Sequence, residues 1–540
     1  MGRGGCCRSR PLALALTLAS FVLAALPSLA AQRVTARLGE LERSVSVAAL
    51  ARFARDGQVD SELRPVVARL QPEQLASLRT ALKLRAPITA VMVANFLSTA
   101  LGQRILQQLV KVLDRPPAVA RPALSSALIL AAARPGDAGV GLIDVLEAYP
   151  LPSFAVNLGA VLSLARQLSH DFNLDNQLFP ALEALGAGQA APGFSLAGLA
   201  APGPGRFNAE PFTFVSRAGA TIEALALLPD GQGPFPLVVL APGLNTEFNS
   251  LLYVGEHLAS HGYAVAALDF PYTSGAAIKA AIQGTGAIPD PNAWTGQPET
   301  VSELIDQVKR RWGERVDTDA VGVLGQSLGG YTVVALAGAP LDWTHLRQQC
   351  TALADPQRVV LNPAVIWQCQ APGQVLERRD FRDPRVRVAL AVNPVTTPIF
   401  SASSLAAVAV PLLVIAGSHD LFAPPVSQQL EPYTAIRQPE SLLVLQRNGT
   451  HLSFLNGDAP LPGFLIGPDR PLAQRDLRAL SLAFLDRHLR QPRPTAPPLL
   501  HPAQADGGVR MGSDPLPLLL RPQLGRPQLQ ELFSGQTTSP

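Results

Sequence analysis

Apolar residues in the first third of the chain recur at helical spacing. "SVSVAALARFARDGQV" places Val, Ala, Leu and Phe on one face of a 3.6-residue period. "QPEQLASLRTAL" sets Pro72 near a helix start, ahead of good helix formers. "VMVANFLSTALGQRILQQLVKVL" and "FAVNLGAVLSLARQLSHD" read as further amphipathic helices. No dense set of alternating strands competes, so residues 31–190 are expected to form a helical domain. Asp60 and Glu62 form an acidic pair there, read as a solvated helix end. A Gly-, Ala- and Pro-rich stretch over 186–207 has linker chemistry, and the linker is set at 191–207.

The pattern changes after residue 207. "FTFVSRAGATIEALALLP" predicts an opening pair of strands. "PFPLVVLAP", "AVAALDFP", "DAVGVLG", "VRVALAVNP", "PLLVIAGSHD" and "SLLVLQ" are short and continuously apolar. Helical patterns separate them: "SLLYVGEHLASHGY", "ETVSELIDQVKRRWG" and "SLGGYTVVALAGA", with "DLRALSLAFLDRHL" closing the series. Strands apolar on both faces, alternating with helices, predict a mostly parallel central sheet flanked by helices. The expected fold class is therefore α/β over residues 208–490, preceded by the helical domain. Residues 491–540 form a Pro-rich tail, with "PLPLLLRPQL" and "PQLQELF" apolar enough to dock back.

A chain of 540 residues is too long for one ordinary core, consistent with two domains. Residues 1–30 stand apart. A basic start is followed by "PLALALTLASFVLAALPSLA", which ends in Ser28-Leu29-Ala30, a small-x-small cleavage site. This predicts a signal peptide and an exported protein, periplasmic or secreted; the alternative is a retained membrane anchor. Removal of Arg3, Arg8 and Arg10 from 44 basic residues leaves 41, equal to the 41 acidic ones. A balanced charge with no basic stripe gives no support for nucleic acid as a partner. Cys350 and Cys369, close together in a loop-rich insert of an exported chain, are a candidate disulfide; two buried thiols are the alternative.

The candidate chemistry lies at strand ends. Gly325-Gln326-Ser327-Leu328-Gly329 sits between a predicted strand and a predicted helix. A serine there occupies a tight turn with its hydroxyl pushed out at the carboxyl end of the strand. The Leu328 N–H and the helix N-terminus then face the same centre. Of the eight histidines, His451 in "NGTHLSFL" follows a late strand and is the candidate base. His170 lies in the helical domain, His257 and His261 flank a helix end, and His488 and His501 are terminal. Asp420, after "PLLVIAG", is the candidate orienting acid, with His419 its neighbour. The second oxyanion donor is assigned to the backbone of Leu244, since Pro242 has no N–H, and Asn245 is placed to assist. The scattered histidines offer no metal set, so neither a metal nor a cofactor is expected.

"VVLAPGLNTEF", "GVLGQSLGGYTVVALAGA", "LLVIAGSHDLFAPP" and "NGTHLSFL" together resemble the α/β-hydrolase superfamily over residues 208–490. Within it they are most similar to the platelet-activating-factor acetylhydrolase-like and dienelactone-hydrolase-like serine hydrolases. The resemblance implies a nucleophile at Ser327 and a base at His451. The usual His-Gly of the oxyanion loop reads Pro242-Gly243 here. In acetylhydrolases the acid can lie one strand earlier, near Asn393, which is not a carboxylate; Asp420 takes the role. The N-terminal part resembles an uncharacterised domain found ahead of such hydrolases in cyanobacterial exported proteins, which implies a bacterial periplasmic or secreted setting.

The expected activity is hydrolysis of carboxylic esters by a Ser-Asp-His triad. Segments 271–300 and 340–385 interrupt the sheet pattern and are expected over the catalytic edge. "YTSGAAIKAAIQGTGAIPDPNAW" carries few charges, which favours an uncharged or lipid-like ester over a dicarboxylate. An amidase or peptidase is the alternative of the same fold. A scaffold that binds a protein partner through residues 31–190 is the alternative of a different class.

Overall fold

The computed structural model describes residues 31–534 except 39–40, 69–71, 84, 87, 135–138, 162, 165–178, 185–194, 283–292, 356–357, 372–378, 458–462, 491–508 and 523. The expected signal peptide, His170 and His501 lie outside the described residues. Two compact units divide the chain. One runs to Ala94 and resumes over Val110–Gly159; the other joins Asn95–Leu109 to everything from Ala160 on.

The first unit is mainly helical but opens with strands. β1 (Arg33–Leu38) and β2 (Leu41–Ser46) pair antiparallel. The chain turns into α1 (Val47–Asp56), where the Ser46 side chain accepts from Ala49 N and caps the helix. Gly57, at φ 75°, ends it, and its N–H bonds back to Phe53 O. Ala49, Phe53 and Ala54 face a small core with Leu63 and Leu82, the last from α2 (Pro72–Lys83). Asp60 and Glu62 do close a helix start. Asp60 pairs with Arg52 at 2.7 Å, and Glu62 accepts from Ser46 N at 2.8 Å.

The long amphipathic run after residue 90 is not one helix. It breaks at Thr99 into Ala90–Ser98 and α3 (Ala100–Val110). Thr99 Oγ1 accepts from Gly102 N at 3.0 Å, and a Cβ at Gly102 would stand 2.0 Å from Phe96 O. Such a clash fixes glycine there and lets the chain fold back tightly. The first unit resumes with α4 (Pro117–Ala132) and β3 (Ser153–Asn157), which pairs parallel to β1. The strands escape the helical expectation because each is short and β3 comes more than a hundred residues after its partner.

The second unit is built on a ten-stranded mixed sheet. Its strands are β4 (Phe207–Val215), β5 (Thr221–Pro229), β6 (Phe235–Ala241), β7 (Ala264–Leu268), β8 (Val316–Gln326), β9 (Val386–Val392), β10 (Leu412–Gly417), β11 (Leu442–Gln446), β12 (Val509–Met511) and β13 (Leu518–Arg521). Their spatial order is β12-β13-β11-β10-β9-β8-β6-β7-β5-β4. The six central strands are parallel, and antiparallel pairs extend both edges. Part of the apolar tail therefore does enter the fold: β13 pairs with β11 in register Leu445↔Leu519.

The parallel strands bury both faces, as continuous apolar runs require. Leu237, Val239 and Ala241 of β6 join a core on one side; Val238 and Leu240 join the other. The helices α5 (Leu252–Ser260), α6 (Ala293–Trp312), α7 (Leu328–Leu336) and α10 (Arg470–His488) flank the sheet. The first face is covered by α6 and α7, the second by α5 and α10. Between α7 and β9 lie α8 (Trp343–Ala354) and α9 (Pro363–Gln368), two helices within the insert read as loop-rich. Cys350 on α8 is disulfide-bonded to Cys369 at the end of α9. Strand order reverses between β6 and β8, and at such a switch point the carboxyl ends of the strands leave a crevice.

Candidate active site

Ser327 stands at the end of β8, where the strand turns into α7. Its φ of 58° and ψ of −115° are unusual for a residue with a side chain, and the surrounding contacts hold it there. Its N–H donates to Val392 O at 2.9 Å, and its carbonyl accepts from Tyr331 N at 3.0 Å. The flanking glycines are sterically required. A Cβ at Gly325 would lie 2.2 Å from Gly329 O, and one at Gly329 would lie 1.9 Å from Ala241 O. The strand-to-helix turn can close only with hydrogen at both positions.

The three sequence candidates meet. His451 Nε2 lies 2.8 Å from Ser327 Oγ, and His451 Nδ1 lies 2.7 Å from Asp420 Oδ2. All three side chains are buried. With Nδ1–H donating to the carboxylate, Nε2 is free to accept from the hydroxyl. Asp420 is fixed in turn, because its Oδ1 accepts from Phe422 N and Ala423 N at 2.9 and 2.8 Å. The Phe422 ring covers the imidazole, with centroids 5.3 Å apart. His419 does not compete: it is exposed and faces a separate cavity beside Leu421 and Gly467.

Backbone donors flank the serine. Leu328 is the first residue of α7, whose N-terminus faces Ser327. On the other side, a Cβ at Gly243 would lie 3.0 Å from Ser327 Cβ, so only glycine lets that loop come so close. Asn245, at φ 61°, spends its N–H on Thr273 O at 2.8 Å. Leu244, the expected backbone donor, and Asn245 both line the cavity beside Ser327. Thr273 is held by a buried chain of hydrogen bonds. Gln297 Nε2 donates to Thr273 Oγ1 and Thr332 Oγ1 donates to Gln297 Oε1, both at 2.8 Å. Helices α6 and α7 thereby brace the loop after β6.

Two buried amides escaped the sequence reading. Gln326 Nε2 donates to His451 O at 3.0 Å. Asn393, at φ 45°, donates from Nδ2 to Thr450 O at 3.0 Å and accepts at Oδ1 from Gly417 N at 2.8 Å. Both clamp the loop that carries His451. An Asn just before Pro394, at the end of a buried strand, was the available signal, since Asn tolerates positive φ.

The serine opens into a cavity of about 440 Å³. Its walls are mostly apolar, with Leu244, Trp367, Phe422 and Leu452 among them. Besides His451, Arg470 is the one titratable side chain lining it among the described residues, and its guanidinium donates to Gly457 O. Among the described residues no group of three His, Cys, Asp or Glu could hold a metal ion, and no helix is long and apolar enough to cross a membrane.

Comparison with known proteins adds one result. The model of a family described as "Alpha/beta hydrolase of unknown function (DUF1400)" matches residues 30–157. No curated protein matches the chain. The match lies ahead of the large sheet and of Ser327, Asp420 and His451. The chain is thus similar over residues 30–157 to an α/β-hydrolase family of unknown function, and its second unit has an α/β-hydrolase-like architecture: a mostly parallel sheet flanked by helices.

Proposed function

We propose that the protein is an exported serine hydrolase that cleaves carboxylic esters through an acyl-enzyme. The observation that carries this reading is the continuous hydrogen-bond chain from Ser327 through His451 to Asp420, opening into an apolar cavity. His451 Nε2 takes the proton as Ser327 Oγ attacks the ester carbonyl. The amides of Leu244 and Leu328 receive the charge that develops on the carbonyl oxygen. Collapse of the tetrahedral adduct breaks the bond to the alcohol oxygen, which takes the proton from His451. Water then gives a proton to His451 as it attacks the acyl carbonyl; collapse breaks the bond to Ser327 Oγ, which takes that proton from His451 as the acid leaves. Asp420 holds the imidazole in the tautomer this sequence needs and stabilises it when protonated.

The apolar lining supports an uncharged or lipid-like acyl group as substrate. The Cys350–Cys369 disulfide supports an oxidising compartment, as the apolar leader in the sequence also does. Turnover of p-nitrophenyl esters by the full chain tests the activity. The reading predicts hydrolysis by wild type and a loss of at least about 10³-fold in kcat for Ser327→Ala. Equal turnover by both proteins would remove it.

A further inference from the structure

The N-terminal region contributes a wall to the cavity beside Ser327. Leu101 and Ile105, one turn apart on α3, line it together with Leu244, Trp367 and Leu452. Both are half-buried and pack against the main core of the second unit. The helix is pinned in place by a buried polar contact. Gln108 is 2% exposed; its Nε2 donates to Leu353 O at 2.9 Å and its Oε1 accepts from Val360 N at 3.1 Å. One side chain thus ties α3 to both ends of the segment between α8 and α9. That segment lies within the Cys350–Cys369 loop, and α9 presents Trp367 to the cavity.

We propose that this chamber takes the acyl chain of the ester and that Leu101 and Ile105 determine which chain lengths it accepts. The inference rests on the serine-hydrolase reading above and deepens it by naming the substrate class: esters of single, medium-length apolar acyl chains. The apolar side chains of Leu101 and Ile105 disfavour a charged acyl group beside α3. The volume lies toward the lower end of the roughly 300–1,000 Å³ typical of small-molecule sites, room for one chain. Each methylene sheltered there adds about fourfold to kcat/KM until the chamber is full. A segment more than two hundred residues before the nucleophile therefore sets specificity, and the helix does so from inside the stretch matched by the family model.

Two alkyl fluorophosphonates, with ethyl and octyl chains, test this on the full chain. The rate of Ser327 modification by each is measured by intact-mass spectrometry. Wild type is expected to react faster with the octyl probe. Ile105→Trp fills the chamber and lowers the octyl-to-ethyl rate ratio at least tenfold. Leu101→Ala enlarges it and raises reactivity toward a dodecyl probe relative to octyl. Gln107→Ala, on the exposed face of α3, keeps the wild-type ratio. An octyl-to-ethyl ratio unchanged in Ile105→Trp, including a parallel fall with both probes, overturns the proposal while leaving the hydrolase reading intact. Failure of wild type to react with either probe removes both.

Discussion

Asn393 and Thr450 are joined by a hydrogen bond of 3.0 Å that runs from the end of β9 to the loop carrying His451. The same side chain accepts from Gly417 N, just upstream of Asp420. One buried amide therefore spans the mounts of both partners of Ser327. Asn393→Leu removes the partner of Gly417 N and leaves Thr450 O only its 3.4 Å contact from Ser453 N, at an expected cost of about 1–3 kcal/mol. We expect a lower unfolding midpoint and a fall in kcat of about tenfold or more, because a displaced imidazole loses its reach to Ser327. Asn393→Asp is also expected to be impaired, since a carboxylate accepts from Gly417 N but cannot donate to Thr450 O. Denaturant titration and ester kinetics on both variants check this.

Gly329 of the turn and Gly296 of α6 differ sharply in what they permit. Gly329→Ala forces a Cβ to 1.9 Å from Ala241 O, a backbone atom of the adjacent strand. The expected cost is about 3 kcal/mol or more, with loss of activity. Gly296→Ala, in α6, meets nothing within 4 Å and trades a poor helix former for the best one. Its expected effect is between neutral and about 1 kcal/mol stabilising. Thermal melts of the two variants side by side decide the point.

Much of this arrangement is legible in the sequence. Central strands such as "PFPLVVLA" are buried on both faces and so read as unbroken apolar runs. Ser327, Asp420 and His451 each follow such a run, and that alone assigns them to one sheet edge. The α3 wall is not legible in that way. An amphipathic pattern says that a helix buries one face, not what it buries that face against. Gln326 is equally hidden, because nothing local distinguishes an amide that clamps a remote loop from one that ends a strand; for Asn393 the place before Pro394 marks the residue but not the loop it holds. The strands of the first unit were missed because β3 pairs with a partner far away in the chain.

Acid should destabilise the protein through two histidines. Burial pushes both His257 and His488 down to about 4, so each is neutral in the folded chain where the unfolded chain titrates near 6.5. Unfolding then takes up protons between about pH 6.5 and 4, and stability falls as pH falls through that window. Asp269 works in the opposite sense. Burial pushes it up to about 6, so the folded state binds its proton first and gains stability as pH falls from about 6 toward 4. His257→Gln is expected to flatten the decline in unfolding midpoint across this range, and Asp269→Asn to steepen it. Melts from pH 4.5 to 7.5 read both slopes.

Reduction of Cys350–Cys369 opens a loop whose ends are 19 residues apart. The expected loss is about 3 kcal/mol of stability toward the unfolded state. Denaturant titration of the paired Cys350→Ser, Cys369→Ser variant measures it. Because Trp367 lies inside the closed loop and faces the cavity, the same variant is expected to discriminate less between short and medium acyl chains.

The most direct test of the central claim is the site of covalent capture by a fluorophosphonate. Wild type is expected to gain the mass of one probe, mapped to Ser327. His451→Ala is expected to react at least about a hundredfold more slowly, because the hydroxyl then lacks its base. Modification of wild type elsewhere than Ser327, or an equal rate in His451→Ala, would contradict the claim.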